Sequence, residues 1–435
     1  MSADGKFPEG FIWGAATAAH QVEGDNTNTD IWTLEQAKPS LFKEPSADAI
    51  DQWNRYDDDL ALLSALGLQA YRFSIEWARI EPEEGYFSRA ALEHYQRLID
   101  ACLKRGLAPV PTFHHFTLPL WQARNGGFTD PRFAERFARY CDTASRALEG
   151  FEIACTINEL NLPLFITRVI GRKLSGEEGA KLRAAGETAL GAPLESTFLF
   201  APPEAVMDQG LKAHALARDA IKANRQNCKV GVTLSIAEYE AEPGGEAHRD
   251  AAQRYLYEPF LEAARKDDFI GVQTYTRVII GADGRVKPAT GRPHNVLGWE
   301  DRPEALAATC RYVWDKTRAP IIVTENGWAG NNDARRCAFI REALSALKAE
   351  IDAGVDVRGY LYWSLLDNFE WLSGYGPKFG LIGVDRATQR RELRASALLL
   401  GAIARRNSLQ VEAAEAEPEA PVSASGEGPA QVGLG

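Results

Sequence analysis

The sequence predicts an α/β protein built on a single (β/α)8 barrel. Eight short apolar runs have the length of β-strands, and segments with helical periodicity separate them, so the strands should lie parallel in one sheet. This number of units permits closure into a barrel, whereas no glycine-rich dinucleotide loop follows the first run to favour a doubly wound open sheet. The predicted strands are residues 10–17, 69–75, 107–115, 152–158, 229–235, 268–275, 319–326 and 357–364. The predicted helices are residues 56–66, 89–104, 131–148, 207–224, 253–266, 303–316 and 335–353.

Two segments depart from this alternation. Residues 171–193 are charged and rich in Gly and Ala, and they follow the fourth predicted strand, on the barrel face that carries active sites. Either a flexible lid over that face or a solvated surface helix fits this composition. From residue 407 the composition predicts a disordered acidic tail, which contains five Glu and no Lys or Arg. The chain is therefore divided into a catalytic barrel, residues 1–406, and a tail, residues 407–435.

Composition and charge argue against several classes of partner. The net charge of -11 and the lack of a basic stripe argue against nucleic-acid binding. The N-terminus does not resemble a secretion signal, and no apolar run approaches the roughly 20 residues of a membrane span. The six cysteines are scattered without close pairs, which suits reduced thiols better than disulfides or a zinc site. These features predict a cytoplasmic enzyme without a membrane partner and give no indication of its oligomeric state.

Polar and aromatic residues collect at the carboxyl ends of the predicted strands, where barrel enzymes place their active sites. Two of them are carboxylates, Glu159 after strand four and Glu325 at the end of strand seven. A sugar site needs such a set: polar side chains for hydroxyl groups, aromatic faces for C–H surfaces and two acids for the glycosidic bond. The other members are Gln21, Arg72, His114, His115, Asn158, Tyr275, Trp363, Glu370 and Trp371.

Each of these residues also has an ordinary structural interpretation. Glu325 alone would most often form a salt bridge, Glu159 could cap a helix, and Arg72 could reach from a strand to solvent. Adjacent His114 and His115 invite a metal hypothesis, but strand alternation sends them to opposite faces, and no third ligand lies at a familiar spacing. No metal is therefore predicted, and the arrangement of the residues, rather than any one of them, points to catalysis.

Several motifs resemble those of glycoside hydrolase family 1, the β-glucosidase family. FIWGAATAAHQVEG resembles its N-terminal signature, AYRFSIEWARI its second strand and CTINEL its Thr-x-Asn-Glu motif. IVTENG resembles its nucleophile motif, and YWSLLDNFEWLSGYGPKFGLIGVD its C-terminal signature. The resemblance keeps the family's order from Phe7 to Arg405. It implies a (β/α)8 barrel that hydrolyses β-glycosides without a cofactor.

Carried over position by position, the resemblance implies that Glu325 is the nucleophile and Glu159 the general acid/base. Arg72 and Tyr275 would bond the nucleophile. Trp363 would form the floor on which the sugar stacks, and Trp299, in LGWE, would belong to the leaving-group side. The residues implied to hold the sugar hydroxyls are Gln21, His115, Asn158, Glu370 and Trp371.

These roles set requirements for the two carboxyl groups. A nearby Arg72 should lower the pKa of Glu325, so that this group is ionised at neutral pH. The negative charge of Glu325 should raise the pKa of Glu159, which must start protonated and later act as a base. A retaining mechanism needs the carboxyls about 5–5.5 Å apart, and Asn158 would bond the sugar's 2-hydroxyl.

Several positions depart from the family pattern. Phe116 stands where most members have Trp beside the sugar-binding His, so that wall of the site is altered. Members that act on phosphorylated sugars have Ser where this chain has Glu370 and Lys where Pro377 stands, which predicts an unphosphorylated sugar here. Glu76, a third acid that follows the strand of Arg72, is interpreted as structural. The remaining departures are Leu160 for Pro, and Gln273 and Thr274 for Asn and Tyr.

Together these observations predict a retaining β-glycosidase that hydrolyses unphosphorylated β-glucosides, with β-galactosides or β-fucosides as further substrates, through a covalent glycosyl-enzyme. Its partner would be a small-molecule or oligosaccharide β-glycoside, and no cofactor is predicted. A transglycosidase that uses the same residues is the alternative among enzymes. A non-hydrolytic sugar-binding barrel is the alternative outside them, and the presence of both carboxylates argues against it.

Overall fold

A closed parallel sheet forms the centre of the molecule, in a computed structural model that describes residues 5–288 and 290–411. The fifth strand is interrupted at Val232: its first half pairs with strand four and its second half with strand six. Strand eight pairs with strand one, so the sheet closes through the interrupted strand and the predicted (β/α)8 barrel is confirmed. The barrel strands are Ile12–Ala16, Ala70–Ser74, Ala108–His114, Ile153–Ile157, Lys229–Gly231 with Thr233–Ser235, Ile270–Gln273, Ile321–Glu325 and Val357–Trp363.

Helices surround the sheet close to the predicted positions. Arg89–Lys104 begins where expected because Ser88 accepts a hydrogen bond from the N–H of Ala91 and caps the helix. The single helix predicted at residues 253–266 is wrong: the chain bends at Tyr257, before Pro259, since a proline has no N–H to continue the helix. The longer helices are Gln52–Ala65, Arg89–Lys104, Phe133–Ala147, Pro163–Lys173, Gly176–Leu190, Leu211–Asn224, Glu246–Leu256, Ala305–Thr317, Asp333–Asp352 and Ala395–Arg406.

An apolar layer fills the barrel interior below its carboxyl end. Because side chains alternate along a strand, residues two apart point to the same face, and Arg72 lies one layer above Ala70 in the barrel. The apolar layer therefore supports the polar groups from below instead of leaving a pore. Its buried members are Ala70, Val110, Cys155, Phe269, Ile322 and Leu361.

Residues 171–193 contain the end of one helix, Pro163–Lys173, and the whole of the next, Gly176–Leu190. This second helix packs on the segment Asp30–Glu35, where a side chain at Gly186 would come within 3.2 Å of Leu34. Its last carbonyl accepts a hydrogen bond from Arg124 Nε at 3.0 Å. These contacts match the surface-helix interpretation rather than the lid.

A small three-stranded sheet lies outside the barrel, in loops where no strand was predicted. Arg277–Ile280 is its central strand and pairs in parallel with Glu238–Ala241 on one side. Val286–Lys287 pairs with the other side in the antiparallel direction. The sheet joins the loops that follow barrel strands five and six.

The first residues assigned to the tail join the N-terminal segment. The side chain of Asn407 accepts a hydrogen bond from the Trp13 indole at 2.9 Å, and its carbonyl accepts one from the N–H of Phe7 at 2.9 Å. Leu409 continues this pairing by donating its N–H to Gly5 at 3.2 Å. The barrel contacts thus extend past Arg406, and the rest of the predicted tail, residues 412–435, lies outside the described residues.

The cysteines, all within the described ranges, are free thiols. Burial raises the pKa of Cys102 to about 12, so this thiol stays protonated and unreactive near neutral pH. No helix in residues 5–288 and 290–411 is long and apolar enough to cross a membrane.

Candidate active site

Glu325 ends barrel strand seven, and its carboxylate accepts hydrogen bonds from Arg72, Tyr275 and Gln273. Arg72 Nη1 donates to Oε1 at 2.6 Å, and the Tyr275 hydroxyl donates to Oε2 at 2.6 Å. The strand that carries it is buried along its whole length, which makes a rigid mount. A side-chain carbon at Gly327 would lie 1.9 Å from the carbonyl oxygen of Trp363, so the glycine lets the chain pass beneath strand eight.

Glu159 lies at the end of strand four and faces the same cavity as Glu325. Its backbone is left-handed, with φ of 46°, a conformation that strains a non-glycine residue and that clusters at functional sites. Strand five holds it on two sides: Thr233 Oγ1 accepts its N–H at 3.2 Å, and Ser235 hydrogen-bonds to its carboxyl group. Thr233 and Ser235 were not among the predicted site residues, although they are the polar members of a predicted strand end.

Burial raises the pKa of both carboxyl groups, and their neighbours separate the two values. Burial first, and the negative charge of Glu325 second, raise the pKa of Glu159 well above its ordinary value. Burial also raises the pKa of Glu325, while Arg72 and the hydrogen bond from Tyr275 lower it. Arg72 lowers the pKa of Glu325, as expected, but burial outweighs the guanidinium, so the net direction is upward. A proton shared by this pair therefore resides on Glu159.

Three hydrogen-bond donors fix the orientation of the Asn158 side-chain amide. Its Oδ1 accepts from Arg72 Nη2 at 2.5 Å, Gln273 Nε2 at 3.0 Å and Thr233 Oγ1 at 3.1 Å. Since the oxygen is occupied, Nδ2 is the end near His115, at 3.2 Å from Nε2. An amide N–H beside the two carboxyls is a donor suited to a hydroxyl group.

Aromatic rings form one wall of the cavity. His115 stacks on Trp363 with ring centroids 5.8 Å apart and on Trp371 at 6.1 Å. Phe116 packs against Trp371 at 5.0 Å, which fills the place where a Trp is usual in the resembling family. Burial lowers the pKa of His115 well below its ordinary value, with Arg72 adding to the effect, so this imidazole is neutral.

His114 points away from the cavity, as strand alternation predicted. Its ring packs against Phe128, Phe137 and Phe198 in the surrounding core. Among the described residues, no group of three or more His, Cys, Asp or Glu side chains is placed to hold a metal ion.

Glu370 carries a proton near neutral pH in the unliganded site. Burial, followed by the charge of Glu325, raises the pKa of Glu370 to about 8. Its Oε2 is buried and has no hydrogen-bond partner among the described residues. The raised pKa of Glu370 could not be predicted, because the sequence does not reveal how strongly the fold buries this side chain.

Gln21 was expected to hold a sugar hydroxyl, but it does not line the cavity. Its side chain is fully buried, and Nε2 donates to the carbonyl of Phe369 at 2.7 Å and to Asn368 Oδ1 at 3.1 Å. These contacts hold the loop immediately before Glu370. In this structure Gln21 supports the wall of the cavity instead of forming its surface.

Glu76 lies outside the cavity in a buried polar cluster. It accepts hydrogen bonds from Asn26 Nδ2 at 2.8 Å and from the Thr117 hydroxyl at 2.8 Å. It also caps the short helix Trp77–Ile80 through the N–H of Ala78. These contacts give it the structural environment that the sequence analysis expected.

The predicted site residues meet in one cavity of about 850 Å³. All of them except Gln21, Arg72 and His114 line it, and Arg72 lies directly behind Glu325. Trp299 packs against Tyr275 with ring centroids 5.4 Å apart, at the side where the cavity opens outward. Two carboxyls with separated pKa values, hydroxyl-binding groups and aromatic faces suit the cleavage of a glycosidic bond.

One family model matches nearly all of the chain. The family model for Glycosyl hydrolase family 1 matches residues 3–261 and 265–409. The chain belongs to glycosyl hydrolase family 1. It is thus a glycoside hydrolase, as the sequence motifs predicted.

This family 1 enzyme has relatives throughout its length. It is 33% identical to Thermostable beta-glucosidase B of Thermobispora bispora, over 94% of this chain and 93% of the relative. It is 30% identical to the Bifunctional beta-D-glucosidase/beta-D-fucosidase of Bifidobacterium breve, over 88% of this chain and 95% of that one.

Solved structures share the fold over nearly the whole chain. The crystal structure of the beta-glycosidase BGL167 is 46% identical and superposes with a TM-score of 0.87, covering 95% of this chain and 99% of that one. The beta-glucosidase from Thermotoga maritima in complex with glucoimidazole is 27% identical, with a TM-score of 0.81, covering 93% and 100% of the two chains.

Proposed function

We propose that this glycoside hydrolase is a retaining β-glycosidase, with Glu325 as the nucleophile and Glu159 as the general acid/base. The observation that carries the proposal is the different setting of the two carboxyls in one cavity. Arg72 and Tyr275 hold Glu325 and favour its charged form, whereas the pKa of Glu159 is raised by burial and by Glu325 itself. One group is thereby suited to attack and the other to donate a proton.

In the first step, the Glu325 carboxylate attacks the anomeric carbon while the glycosidic C–O bond breaks. Glu159 gives its proton to the departing oxygen, which leaves as an alcohol. The ester formed at Glu325 carries no negative charge, so the pKa of Glu159 falls and its carboxylate can act as a base. It then takes a proton from water as the water oxygen attacks the anomeric carbon, which releases Glu325 and restores both groups.

The groups around the carboxyls are assigned to the sugar. Asn158 Nδ2 would donate to the 2-hydroxyl, where a hydrogen bond strengthens in the transition state. His115 and Glu370 would bond other hydroxyls, and Trp363 would stack under the ring. Gln21 would act through the loop that precedes Glu370, and the indole of Trp371 would complete the wall.

We assign unphosphorylated β-glucosides as the main substrates, with β-fucosides and β-galactosides as further ones. The curated relatives named above are a beta-glucosidase and a bifunctional beta-D-glucosidase/beta-D-fucosidase, which supports this range. A sugar phosphate would place a dianion in a buried cavity that already holds the Glu325 carboxylate, and it would displace the equilibrium of Glu370 further toward its protonated form. Pro377 offers no cation to balance it.

Trapping the intermediate tests the assignment. A 2-deoxy-2-fluoro glucoside slows the second step, so peptide mapping should find the sugar attached to Glu325. The buried acid Glu76 serves as an internal control and should stay unlabelled. Attachment at another residue, or no attachment while the enzyme still turns over glucosides, would overturn the assignment.

Chemical rescue tests the acid/base. Glu159→Ala should lose most activity on glucosides with poor leaving groups, which need the acid in the first step. On a glucoside with a good leaving group such as dinitrophenolate, the glycosyl-enzyme still forms, and azide, which needs no general base, should restore its turnover. The product should be the β-glucosyl azide. Failure of azide to restore any turnover would exclude Glu159 from this role. Product analysis with added alcohols would separate hydrolysis from transfer to an acceptor.

A further inference from the structure

The cavity extends outward beyond the groups assigned to the sugar, and one of its outer walls is an apolar helix face. Helix Pro163–Lys173 follows Glu159 in the chain and contributes Phe165, Ile166 and Ile170 to the lining. Ile166 and Ile170 are four residues apart and therefore share one face of the helix. Phe165 and Ile166 are only half-buried by the protein, so part of their apolar surface faces the cavity.

The facing wall is apolar as well. Val278, in the central strand Arg277–Ile280 of the small sheet, lines the cavity and is half-buried. Val286, on the neighbouring strand, is 67% exposed at the mouth. Leu297 and Leu372 continue this lining from two other loops.

Charged groups also line this outer part: Lys173 ends the helix, Lys287 donates to Asp283, and Arg277 and Glu300 are bonded to each other. Arg277 donates to Glu300 Oε1 at 2.7 Å and to Glu240 Oε2 at 2.6 Å. The Thr276 hydroxyl donates to the carbonyl of Glu300 at 3.1 Å. A second sugar ring here would lose hydration of its hydroxyl groups and meet mostly hydrocarbon, which is unfavourable.

We infer that the outer cavity is a binding site for a large apolar leaving group, such as an alkyl chain or a hydrocarbon ring system, in preference to a second sugar. This inference rests on the proposed function, because the leaving-group oxygen must lie beside Glu159. An apolar leaving group would cover Ile166, Val278 and the exposed Val286, and burial of this surface favours binding. Nothing in the family assignment specifies this preference.

Three β-glucosides with the same sugar test the inference: hexyl β-glucoside, methyl β-glucoside and cellobiose. Methanol and hexanol are similar leaving groups, so the ratio of kcat/KM between their glucosides reports how the enzyme binds the chain. We expect the hexyl glucoside to exceed both other substrates in kcat/KM by about 30-fold or more, because each methylene that leaves water favours the bound state.

Two variants locate the effect. Val278→Thr places a hydroxyl group in the outer wall with little change in shape, and Ile166→Thr places one there with the loss of a methyl group. Each should lower the hexyl-to-methyl ratio about fivefold or more. Activity on methyl β-glucoside should stay within twofold, which also shows that each variant is folded. Val296→Thr, the same exchange at a residue that is 61% exposed on a nearby loop, is the matched control and should leave the ratio unchanged.

The outcomes separate this inference from the proposed function. Hydrolysis of all three substrates with a hexyl-to-methyl ratio below threefold, or with cellobiose as the best substrate, would overturn the inference alone. Variants that leave a high ratio unchanged would show that the chain binds elsewhere and would equally overturn it. No hydrolysis of any glucoside together with no labelling of Glu325 would overturn the proposed function and the inference with it.

Discussion

Tyr275→Phe removes one of the hydrogen bonds to the proposed nucleophile and leaves the ring in place. The Tyr275 hydroxyl donates to Glu325 Oε2 at 2.6 Å, and burial keeps the pKa of this tyrosine well above its ordinary value. It therefore remains a donor throughout the working pH range. A bond that is made to the ionised carboxylate lowers the pKa of that carboxylate, so its loss should raise the pKa of Glu325.

The magnitude follows from the strength of such a bond. A hydrogen bond to a charged group contributes about 1.5–3 kcal/mol, and one pKa unit corresponds to about 1.36 kcal/mol. The acid limb of the kcat/KM profile reports the deprotonation of Glu325 in the free enzyme. In Tyr275→Phe this limb should move up by about 1–2 pH units, while Arg72 continues to favour the carboxylate.

The assay is the pH dependence of kcat/KM for one glucoside, measured for the natural enzyme and two variants. Tyr140→Phe is the matched control: this tyrosine is fully buried and donates to the carbonyls of Ile75 and Phe113, outside the cavity. Its pH profile should coincide with that of the natural enzyme. An acid limb that does not move in Tyr275→Phe, or that moves equally in Tyr140→Phe, would refute the assignment of this limb to Glu325.

Three further predictions concern neighbouring groups. Glu370 has a pKa of about 8 in the folded protein, above that of an unfolded chain, so its contribution to stability is present at low pH and is lost as pH rises toward 8. The free energy of unfolding of Glu370→Gln should therefore exceed that of the natural enzyme by about 1–3 kcal/mol at pH 9 and differ little from it at pH 5, as thermal unfolding at the two pH values would show. Gln273→Ala removes one donor from Asn158 Oδ1 and one hydrogen bond from the Glu325 carboxylate, so kcat/KM for a glucoside should fall about tenfold or more. The part of the loss that acts through Asn158 should be absent with the 2-deoxyglucoside, so parallel kinetics should show a smaller loss with that substrate. Glu76→Leu leaves Asn26 and Thr117 without this acceptor, so denaturant titrations should show a free energy of unfolding lower by roughly 1–3 kcal/mol. Glu76→Gln keeps an acceptor oxygen at this position and should retain glucosidase activity.

The barrel and most of the inner site were predictable because they depend on strand register. A residue at the carboxyl end of a barrel strand reaches the active-site face whatever the surrounding loops do, so Glu159, Tyr275 and Glu325 could be located from the sequence. Strand alternation likewise placed His114 and His115 on opposite faces. The interrupted fifth strand had no local signal, because its two halves differ only in which neighbour they pair with.

Other features depended on three-dimensional context that the sequence does not contain. The net pKa directions of Glu325 and Glu370 follow from burial by segments far away in the chain. Gln21 could be placed near the site, but only the fold shows that the loop ending at Phe369 takes up its amide group. The helix break at Pro259 was visible in the sequence, and the prediction gave it too little weight against the periodicity on either side.

The cavity has an inner part, whose position follows from strand register, and an outer part, which depends on the segments between the strands. The inner part comes from strand ends, which all carry their side chains into one small region, and its chemistry is therefore that of the shared family. The outer part combines Ile166 from a helix, Val278 and Val286 from a small sheet, and Leu372 from the last barrel loop. Since these segments can change without disturbing the barrel, the leaving-group preference can vary while the two carboxyls keep their positions. Substitutions such as Ile166→Thr should accordingly change which alcohol leaves and not which sugar is bound.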